Sequence, residues 1–224
     1  MNDIPSPRRP ASRWEPPGRA VTRRALLFGA GAAAVAGLCF AAVAELPSQR
    51  SGLLDVREGT VDQPTARWTA APDANYRYAN RPDDYRIDRI VIHVTQSRYE
   101  NAVRAFRDPA HQAAAHYLIR SSDGRLAQMV READVAYQAG NREWNERSIG
   151  IEHEGYVDDP DRWFTDTAYR ASAQLAADIS TRYDIPIDRE HIVGHREVPG
   201  ATHTDPGPYW DWDRYLDLVR AAAK

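Results

Sequence analysis

Residues 87–95 read IDRIVIHVT, a run of β-branched residues that predicts a buried strand. His93 stands near the end of this run, with apolar residues on both sides. Four other apolar runs have a similar character, and we predict them as shorter strands. They are residues 116–120 (HYLIR), 126–130 (LAQMV), 148–152 (SIGIE) and 191–194 (HIVG).

Helix-like segments separate these strands. Residues 97–107 predict a short helix that ends at Asp108-Pro109, and residues 212–222 predict a final helix. Residues 165–183 predict a long amphipathic helix, because apolar side chains recur there every three or four positions. The turn sequence SSDG at 121–124 predicts a hairpin. We therefore expect an α/β fold: a single domain with a central mixed β-sheet flanked by helices.

The composition excludes several classes of protein. A chain of 224 residues, 27% charged and 42% hydrophobic, fits one globular domain with appendages. The formal charge of −3 gives no basic surface for nucleic acid, so we expect no nucleic-acid partner. Cys39 is the single cysteine, which excludes an intramolecular disulfide and a cysteine-based zinc finger. Any metal site must use His, Asp or Glu, and no oligomerisation signature is visible, so we expect a monomer.

Residues 1–44 have the layout of a secretory signal peptide, with a basic stretch, an uncharged apolar run and a small-residue end. Arg23 and Arg24 directly precede the apolar run, as in a twin-arginine signal. The sequence AVA at 42–44 predicts cleavage after Ala44. We therefore expect an exported, extracytoplasmic protein.

Two other interpretations of this segment are open. About 20 apolar residues can span a bilayer, so an uncleaved anchor is one alternative. A lipoprotein modified at Cys39 is the other. In each case the chain meets the membrane only through residues 1–44. Residues 45–66 show no sustained periodicity and are predicted to be a linker, and residues 67–224 are predicted to be the folded domain.

Two histidines and an aspartate form a candidate metal site. His93 and His195 each lie at the end of an apolar strand-like run, and Asp205 lies in a Thr-Asp-Pro-Gly turn that can aim its side chain inward. Two imidazoles and one carboxylate can hold a zinc ion and leave its fourth position open, as in catalytic sites. The alternative is that each histidine is a hydrogen-bonded core residue, and spacing alone does not decide between the two.

Glu152 ends the apolar run 148–152. A carboxylate at such a position costs free energy to desolvate unless it is paired or used. Strand alternation places Glu154 on the same face and His153 on the other. A functional carboxylate and a solvated charge at the sheet edge are both compatible with this pattern.

Five motifs, taken in chain order, are similar to those of one enzyme family. The chain resembles the zinc-dependent N-acetylmuramoyl-L-alanine amidases of the amidase-2 or peptidoglycan-recognition-protein type, from about Trp68 to Tyr215. The motifs are IVIH (90–93), AHYLI (115–119), SIGIE (148–152), VGH (193–195) and TDPGP (204–208), the last followed by Trp210 and Trp212. The resemblance implies the fold of that family and peptidoglycan as the partner.

The resemblance also implies roles for five residues. His93, His195 and Asp205 would be the ligands of a Zn²⁺ cofactor, since members of the family carry Cys or Asp at the third ligand position. Glu152 would be the general base that takes a proton from the attacking water. His203 would stabilise the oxyanion. The bond cut would be the amide between N-acetylmuramic acid and L-alanine of peptidoglycan, in cell-wall remodelling or degradation.

Substrate-facing positions are expected at His116, Gln138 and Asn141, with a structural role as the alternative for His116. Gln138 departs from the family pattern, since many relatives have histidine there, and glutamine cannot carry a charge. The arginine-rich stretch 142–147 is expected to be a loop that contacts stem-peptide carboxylates or forms a solvated surface. Two alternative functions are compatible with the sequence. One is a non-catalytic peptidoglycan-recognition module, and the other is a metallo-hydrolase that acts on a different amide.

Overall fold

The computed structural model describes residues 61–224. The predicted signal segment, residues 1–44, and most of the predicted linker lie outside the described residues, and both stay predictions. The described residues belong to one compact unit. None of their helices is both long and apolar enough to cross a lipid bilayer.

Eight strands occur among the described residues, and six of them form one mixed sheet. The strands are β1 (Arg67–Trp68), β2 (Tyr76–Arg77), β3 (Arg89–Val94), β4 (Tyr117–Ile119), β5 (Leu126–Gln128), β6 (Val135–Ala136), β7 (Ser148–His153) and β8 (Ile192–Gly194). The order in the large sheet is β1-β5-β4-β7-β3-β8. Strands β2 and β6 form a separate antiparallel pair.

Five α-helices occur in residues 61–224, and all but the last lie between strands. They are α1 (Tyr99–Phe106), α2 (Arg142–Arg147), α3 (Pro160–Trp163), α4 (Asp166–Tyr183) and α5 (Trp212–Ala222), with single 3-10 turns at Asp73–Asn75 and His195–Glu197. Each strand and helix predicted from the sequence is confirmed to within two residues at either end. The Thr165 hydroxyl accepts a hydrogen bond from the Ala168 N–H at 3.1 Å, which caps α4. The predicted α/β class is therefore confirmed.

The direction of the strands decides where a site can form. Strand β3 pairs in parallel with β7 and β8, and β7 pairs in parallel with β4. Strand β5 runs antiparallel to β4, which confirms both the predicted hairpin and the mixed sheet. Because β3, β4, β7 and β8 run the same way, their carboxyl ends meet at one edge, where ligands bind in open α/β sheets.

The two faces of the sheet carry different side chains. Ile90 and Ile92 of β3 are fully buried on one face, in a core shared with α4 and α5. Alternation places Val91 and His93 on the opposite face, where Val91 packs with Ala139 and other apolar residues. Helix α1 and its neighbouring loops pack on this second face. The polar side chains of the site lie here, at the carboxyl edge.

Residues 142–147 form helix α2, so the expected loop is wrong. The Asn141 side chain accepts a hydrogen bond from the Trp144 N–H at 3.2 Å and caps the helix. Two ion pairs at i,i+4 spacing stabilise it, Arg142–Glu146 and Glu143–Arg147, each at 3.0 Å. The sequence signal was missed because a six-residue polar helix has no apolar periodicity.

The last residues of the predicted linker pack on the sheet. The Asp62 N–H donates to Gln128 Oε1 at 2.7 Å, and the Asp62 carboxylate forms an ion pair with Arg131 at 3.1 Å. Gln63 is buried, and its amide donates to the Asp178 carboxylate at 2.6 Å. Contacts with the folded domain therefore begin before Arg67.

A buried carboxylate ties the end of α4 to the sheet. Glu132 is 1% exposed and accepts hydrogen bonds from the hydroxyls of Tyr117 at 2.6 Å and Tyr183 at 2.8 Å. Arg182 donates to both of its oxygens, at 2.6 and 2.7 Å. Burial, and then the Glu132 charge, raise the pKa of Tyr117 well above its ordinary value, so that its hydroxyl stays a donor. Both oxygens of Glu132 therefore have hydrogen-bond donors, and each donor has an acceptor.

We expect Glu132→Ala to lower the free energy of unfolding by about 3 kcal/mol, because two hydroxyls and a guanidinium lose their acceptor. That is the low end for a broken buried pair, since Arg182 is partly exposed. The measurement is equilibrium urea denaturation. Asp217→Ala is the control, since its pair with Arg220 is exposed and should change stability by less than about 0.5 kcal/mol. Equal losses in the two variants would contradict a structural role for Glu132.

Candidate active site

Three parallel strands deliver the polar residues of the site. His93 is the fifth residue of β3 and pairs in register with Glu152 on β7. His195 directly follows β8, whose last residue, Gly194, pairs with Ile92. Residues separated by about a hundred positions in the sequence therefore meet at one edge of the sheet. Asp205 reaches the same edge from the loop that follows β8.

The structure brings the three predicted metal ligands together. The Nδ1 atom of His93 lies 3.2 Å from Oδ2 of Asp205, and Nδ1 of His195 lies 3.2 Å from Oδ1. One ligand atom from each residue lies within 4.8 Å of the others, and all three residues are buried. The Asp205 carboxylate thus faces both imidazoles, one with each oxygen.

The protonation states of this cluster suit a cation. Burial lowers the pKa of His93, which favours the neutral ring. Burial alone would raise the pKa of Asp205, but its contacts with the imidazoles of His195 and His93 hold this pKa well below its ordinary value. A neutral imidazole and an ionised carboxylate are the forms that bind metal. Two imidazole nitrogens and a carboxylate are also the donor set of a catalytic zinc site, so these residues fit that ion.

Close backbone packing seats Asp205. A Cβ atom on Gly194 would lie 2.5 Å from Cδ of Pro206, so glycine is needed for the 205–206 segment to lie against the end of β8. The Arg196 N–H donates to the Asp205 carbonyl at 2.9 Å, and the Val94 N–H donates to its carboxylate at 3.3 Å. These contacts fix the aspartate between the ends of β3 and β8.

Glu152 has a carboxylate oxygen without a partner at the site. Its Oε2 atom is buried and has no hydrogen-bond partner among the described residues. Burial, and then the negative charge of Asp205, raise the pKa of Glu152 well above its ordinary value. Glu154 is different, because its two oxygens accept from the backbone N–H groups of Tyr99 at 3.0 Å and Ser121 at 2.9 Å. A carboxyl group with a free, buried oxygen can accept and release a proton.

A cavity of about 490 Å³ opens onto these residues. His203 lies at its rim, is exposed, and stacks on the His195 ring with centroids 4.8 Å apart. The residues that line the cavity are His93, Val94, Thr95, Gln96, Ser97, Asn101, Ala102, Ala105, Phe106, His111, Ala113, Ala114, Ala115, Tyr137, Gln138, Glu152, His195, His203 and Asp205. The five residues with implied metal or catalytic roles are all among them.

The three expected substrate-facing residues occupy different places. Gln138 lines the cavity and contacts His93, with 2.5 Å between Oε1 and Nε2. Asn141 caps α2 and donates to the Pro199 carbonyl at 3.0 Å, and it does not line the cavity. Its position fits a structural link between α2 and the loop after β8 better than a substrate contact.

His116 also lies outside the cavity. It is completely buried, and the Gly150 N–H donates to its Nδ1 at 3.0 Å. Its Nε2 lies 3.2 Å from the Asp134 carbonyl and 2.7 Å from the Arg81 guanidinium. Burial, and then the Arg81 charge, lower the pKa of His116 well below its ordinary value. The expectation of a substrate contact at His116 is therefore corrected to a structural role.

Sequence reasoning missed two residues that support the site. Asn145 Oδ1 accepts from the backbone N–H groups of Gln138 at 3.1 Å and Ala139 at 2.7 Å, and so holds the loop that carries Gln138. The Ser148 hydroxyl contacts the Gln138 side chain at 2.8 Å. Ser148 is the first residue of the SIGIE motif, so the motif could have identified it. Nothing in the local sequence marks Asn145.

The family model described as N-acetylmuramoyl-L-alanine amidase (amidase-2) matches residues 83–208. This chain belongs to that family. It is 33% identical to N-acetylmuramoyl-L-alanine amidase A of Achromobacter lyticus over 177 residues, which cover 71% of this chain and 96% of that protein. It is 36% identical to 1,6-anhydro-N-acetylmuramyl-L-alanine amidase AmpD of Haemophilus influenzae over 115 residues, which cover 49% of this chain and 60% of that protein.

Solved structures show the same fold as this amidase-2 domain. A crystal structure of a selenomethionine derivative of AmpD has a TM-score of 0.58 and 29% identity, covering 71% of this chain and 99% of that one. AmiD of E. coli, in complex with anhydro-N-acetylmuramic acid-L-Ala-D-γ-Glu-L-Lys, has a TM-score of 0.51 and 28% identity, covering 59% of this chain and 57% of that one. The predicted family, fold and enzyme class are thereby confirmed.

We expect His116→Ala to lower the free energy of unfolding by about 2–4 kcal/mol, because it opens a cavity and leaves the Gly150 N–H without an acceptor. His116→Gln, which can keep an acceptor there, should lose less. Urea denaturation of both variants is the measurement. A several-fold rise in KM at unchanged stability would restore the interpretation of His116 as a substrate contact.

Proposed function

We propose that this chain is a zinc-dependent amidase that hydrolyses the bond between N-acetylmuramic acid and L-alanine in peptidoglycan. Glu152 carries the proposal, because it lines the same cavity as the His93, His195 and Asp205 cluster and its Oε2 has no hydrogen-bond partner among the described residues. Glu154, two residues along the chain, instead has both of its oxygens hydrogen-bonded to backbone N–H groups. An unsatisfied carboxylate oxygen beside a metal-binding cluster suits proton transfer.

The relatives support the substrate class. Amidase A and AmpD are named for N-acetylmuramoyl-L-alanine and its 1,6-anhydro form, and the AmiD structure holds an anhydro-N-acetylmuramic acid tripeptide. Cleavage of this linkage separates a glycan from a peptide. Such a cleavage would serve in cell-wall remodelling or degradation.

His93, His195 and Asp205 would hold the zinc ion. When bound, zinc supplies Lewis acidity that polarises an amide carbonyl and makes water more acidic. The protein contributes a preorganised setting: all three residues are buried, and both Asp205 oxygens are already directed at the two imidazoles. Little rearrangement of these side chains is needed at the moment of binding.

Glu152 and His203 would move the proton and stabilise the charge. Oε2 of Glu152 takes a proton from the attacking water and passes it to the departing amide nitrogen, which leaves as the free amine of L-alanine. The raised pKa makes the Glu152 carboxylate a stronger base than an exposed one. His203, exposed at the cavity rim, donates an N–H to the carbonyl oxygen as negative charge develops there.

A non-catalytic recognition module is the alternative. Such a module needs a groove for its ligand but no metal ligands and no free carboxylate. The chain keeps all three donors and Glu152 in one cavity, and leaving the buried Oε2 of Glu152 without a partner costs free energy that binding alone does not require. These observations favour catalysis.

We expect the purified protein to release soluble peptides with a free N-terminal L-alanine from peptidoglycan, and chelation followed by zinc to abolish and restore this release. Glu152→Gln should lower kcat by about 10²–10⁴-fold, because it removes the proton acceptor at the same volume. His203→Ala should lower kcat by about 10²–10³-fold through loss of an oxyanion donor. Mass spectrometry of the released products is the measurement.

Glu154→Gln is the matched control, since the same change is made two residues away at a carboxylate that binds backbone N–H groups outside the cavity. It should lower stability and leave kcat near the wild-type value. A folded, zinc-loaded wild-type protein that binds peptidoglycan without cutting it would instead favour the recognition module.

Residues 1–44 would direct export of the folded enzyme through the twin-arginine route. Replacing Arg23 and Arg24 together by lysine keeps the charge, and we expect the uncleaved precursor to accumulate inside the cell. The same double replacement at Arg8 and Arg9 is the control and should leave export unchanged. Cell fractionation with immunoblotting is the measurement, and N-terminal sequencing of the exported form should begin at Glu45. Normal export of the Arg23/Arg24 variant would refute this route.

A further inference from the structure

A chain of hydrogen bonds runs from a backbone carbonyl to the candidate ligand His93. The Ser148 hydroxyl lies 2.5 Å from the Trp144 carbonyl oxygen. The Gln138 Nε2 lies 2.8 Å from the same hydroxyl, and the Gln138 Oε1 lies 2.5 Å from the His93 Nε2. Four groups therefore connect the end of α2 with the ring of His93.

The direction of each bond in this chain is determined by its fixed end. A carbonyl oxygen only accepts, so Ser148 must give its one hydroxyl proton to Trp144. The Ser148 oxygen then accepts from the Gln138 Nε2, which turns the Gln138 Oε1 towards His93. An amide oxygen also only accepts, so the Nε2 atom of His93 must carry a proton. The lone pair of a neutral His93 ring therefore lies on Nδ1, which faces Asp205.

Gln138 is held in this orientation by its surroundings. Its backbone N–H donates to Asn145 Oδ1 at 3.1 Å. Its side chain lies over Gly150, where a Cβ atom would come within 2.8 Å of the Gln138 Cδ. Ser148 is completely buried, and its register on β7 is fixed by pairing with Arg89. The amide therefore has little freedom to rotate and exchange its oxygen for its nitrogen.

We propose that Gln138, oriented by Ser148, is a positioning residue that keeps the proton of His93 on Nε2 and so presents Nδ1 to the metal. This inference rests on the proposed zinc-dependent function. Metal-bound histidines are oriented by an acceptor on their second nitrogen, and loss of such an acceptor weakens metal binding by about 10–100-fold. The proposal gives Gln138 a role in metal binding that its position in the cavity alone does not show.

Zinc affinity tests the proposal without reference to activity. Competition with a chromophoric chelator should show a zinc Kd about 10–100-fold weaker for Gln138→Leu, which removes the acceptor at similar volume. Gln138→Glu keeps an oxygen acceptor towards His93 and should retain wild-type affinity or exceed it. Ser148→Ala removes the acceptor that selects the Gln138 nitrogen on that side, and it should give an affinity between those of the wild type and Gln138→Leu.

Gln63→Leu is the matched control, because it removes another hydrogen-bonded, buried glutamine at a different part of the sheet. It should lower thermal stability and leave the zinc Kd unchanged. The comparison separates a loss of stability from a loss of ligand orientation. Thermal denaturation of each metal-free variant shows whether it is folded before zinc is added.

The tautomer of His93 provides a second readout in the metal-free protein. Long-range ¹H–¹⁵N NMR spectra should show the Nε2–H form of His93 in the wild type and in Gln138→Glu, and a mixture of forms in Gln138→Leu. Two results would overturn this inference and leave the zinc-dependent function standing. One is wild-type zinc affinity in folded Gln138→Leu, and the other is an Nδ1–H form of His93 in the wild type. A wild-type protein that binds no zinc would overturn the zinc-dependent function and this inference together.

Discussion

The parallel pairing of β3 with β7 on one side and β8 on the other is the constraint on which the site depends. It brings His93, Glu152 and His195 to the same sheet edge from distant parts of the sequence. The apolar face of the sheet fixes the register, because a slip of one residue in β3 would move Ile90 and Ile92 out of the core shared with α4 and α5 and turn His93 into it. The packing that stabilises the fold therefore also sets the geometry of the site.

Buried carboxylates have two distinct environments in this domain. Glu132 accepts hydrogen bonds from two tyrosines and an arginine, and so contributes to the connection between α4 and the sheet. Glu152 keeps one buried oxygen without a partner among the described residues, and Asp205 faces two imidazoles across a cavity. The first arrangement stabilises the fold. The arrangement at Glu152 costs stability, because a buried oxygen has no partner. It occurs at the cavity, beside a candidate cation site, where a proton acceptor can function in catalysis.

The long and strongly patterned elements were the predictable part of the fold. The amphipathic helix α4 and the β-branched strand β3 have enough residues for their periodicity to be read. Strands β1, β2 and β6 have two residues each, and their pairing depends on partners far away in the sequence. Helix α2 is stabilised by a cap and ion pairs rather than by an apolar face. Local sequence carries no periodic signal for such elements.

The sequence by itself determined the longer strands and helices and the set of residues able to bind a metal or move a proton, because these follow from local periodicity and side-chain chemistry. The family was indicated by the resemblance of five motifs. The tertiary structure decided which polar residues face the cavity. His116 and Gln138 both looked substrate-facing, but one is enclosed behind the site and the other contacts His93. That difference arises from loop paths and from close packing over Gly150, which depend on contacts between distant residues rather than on local sequence.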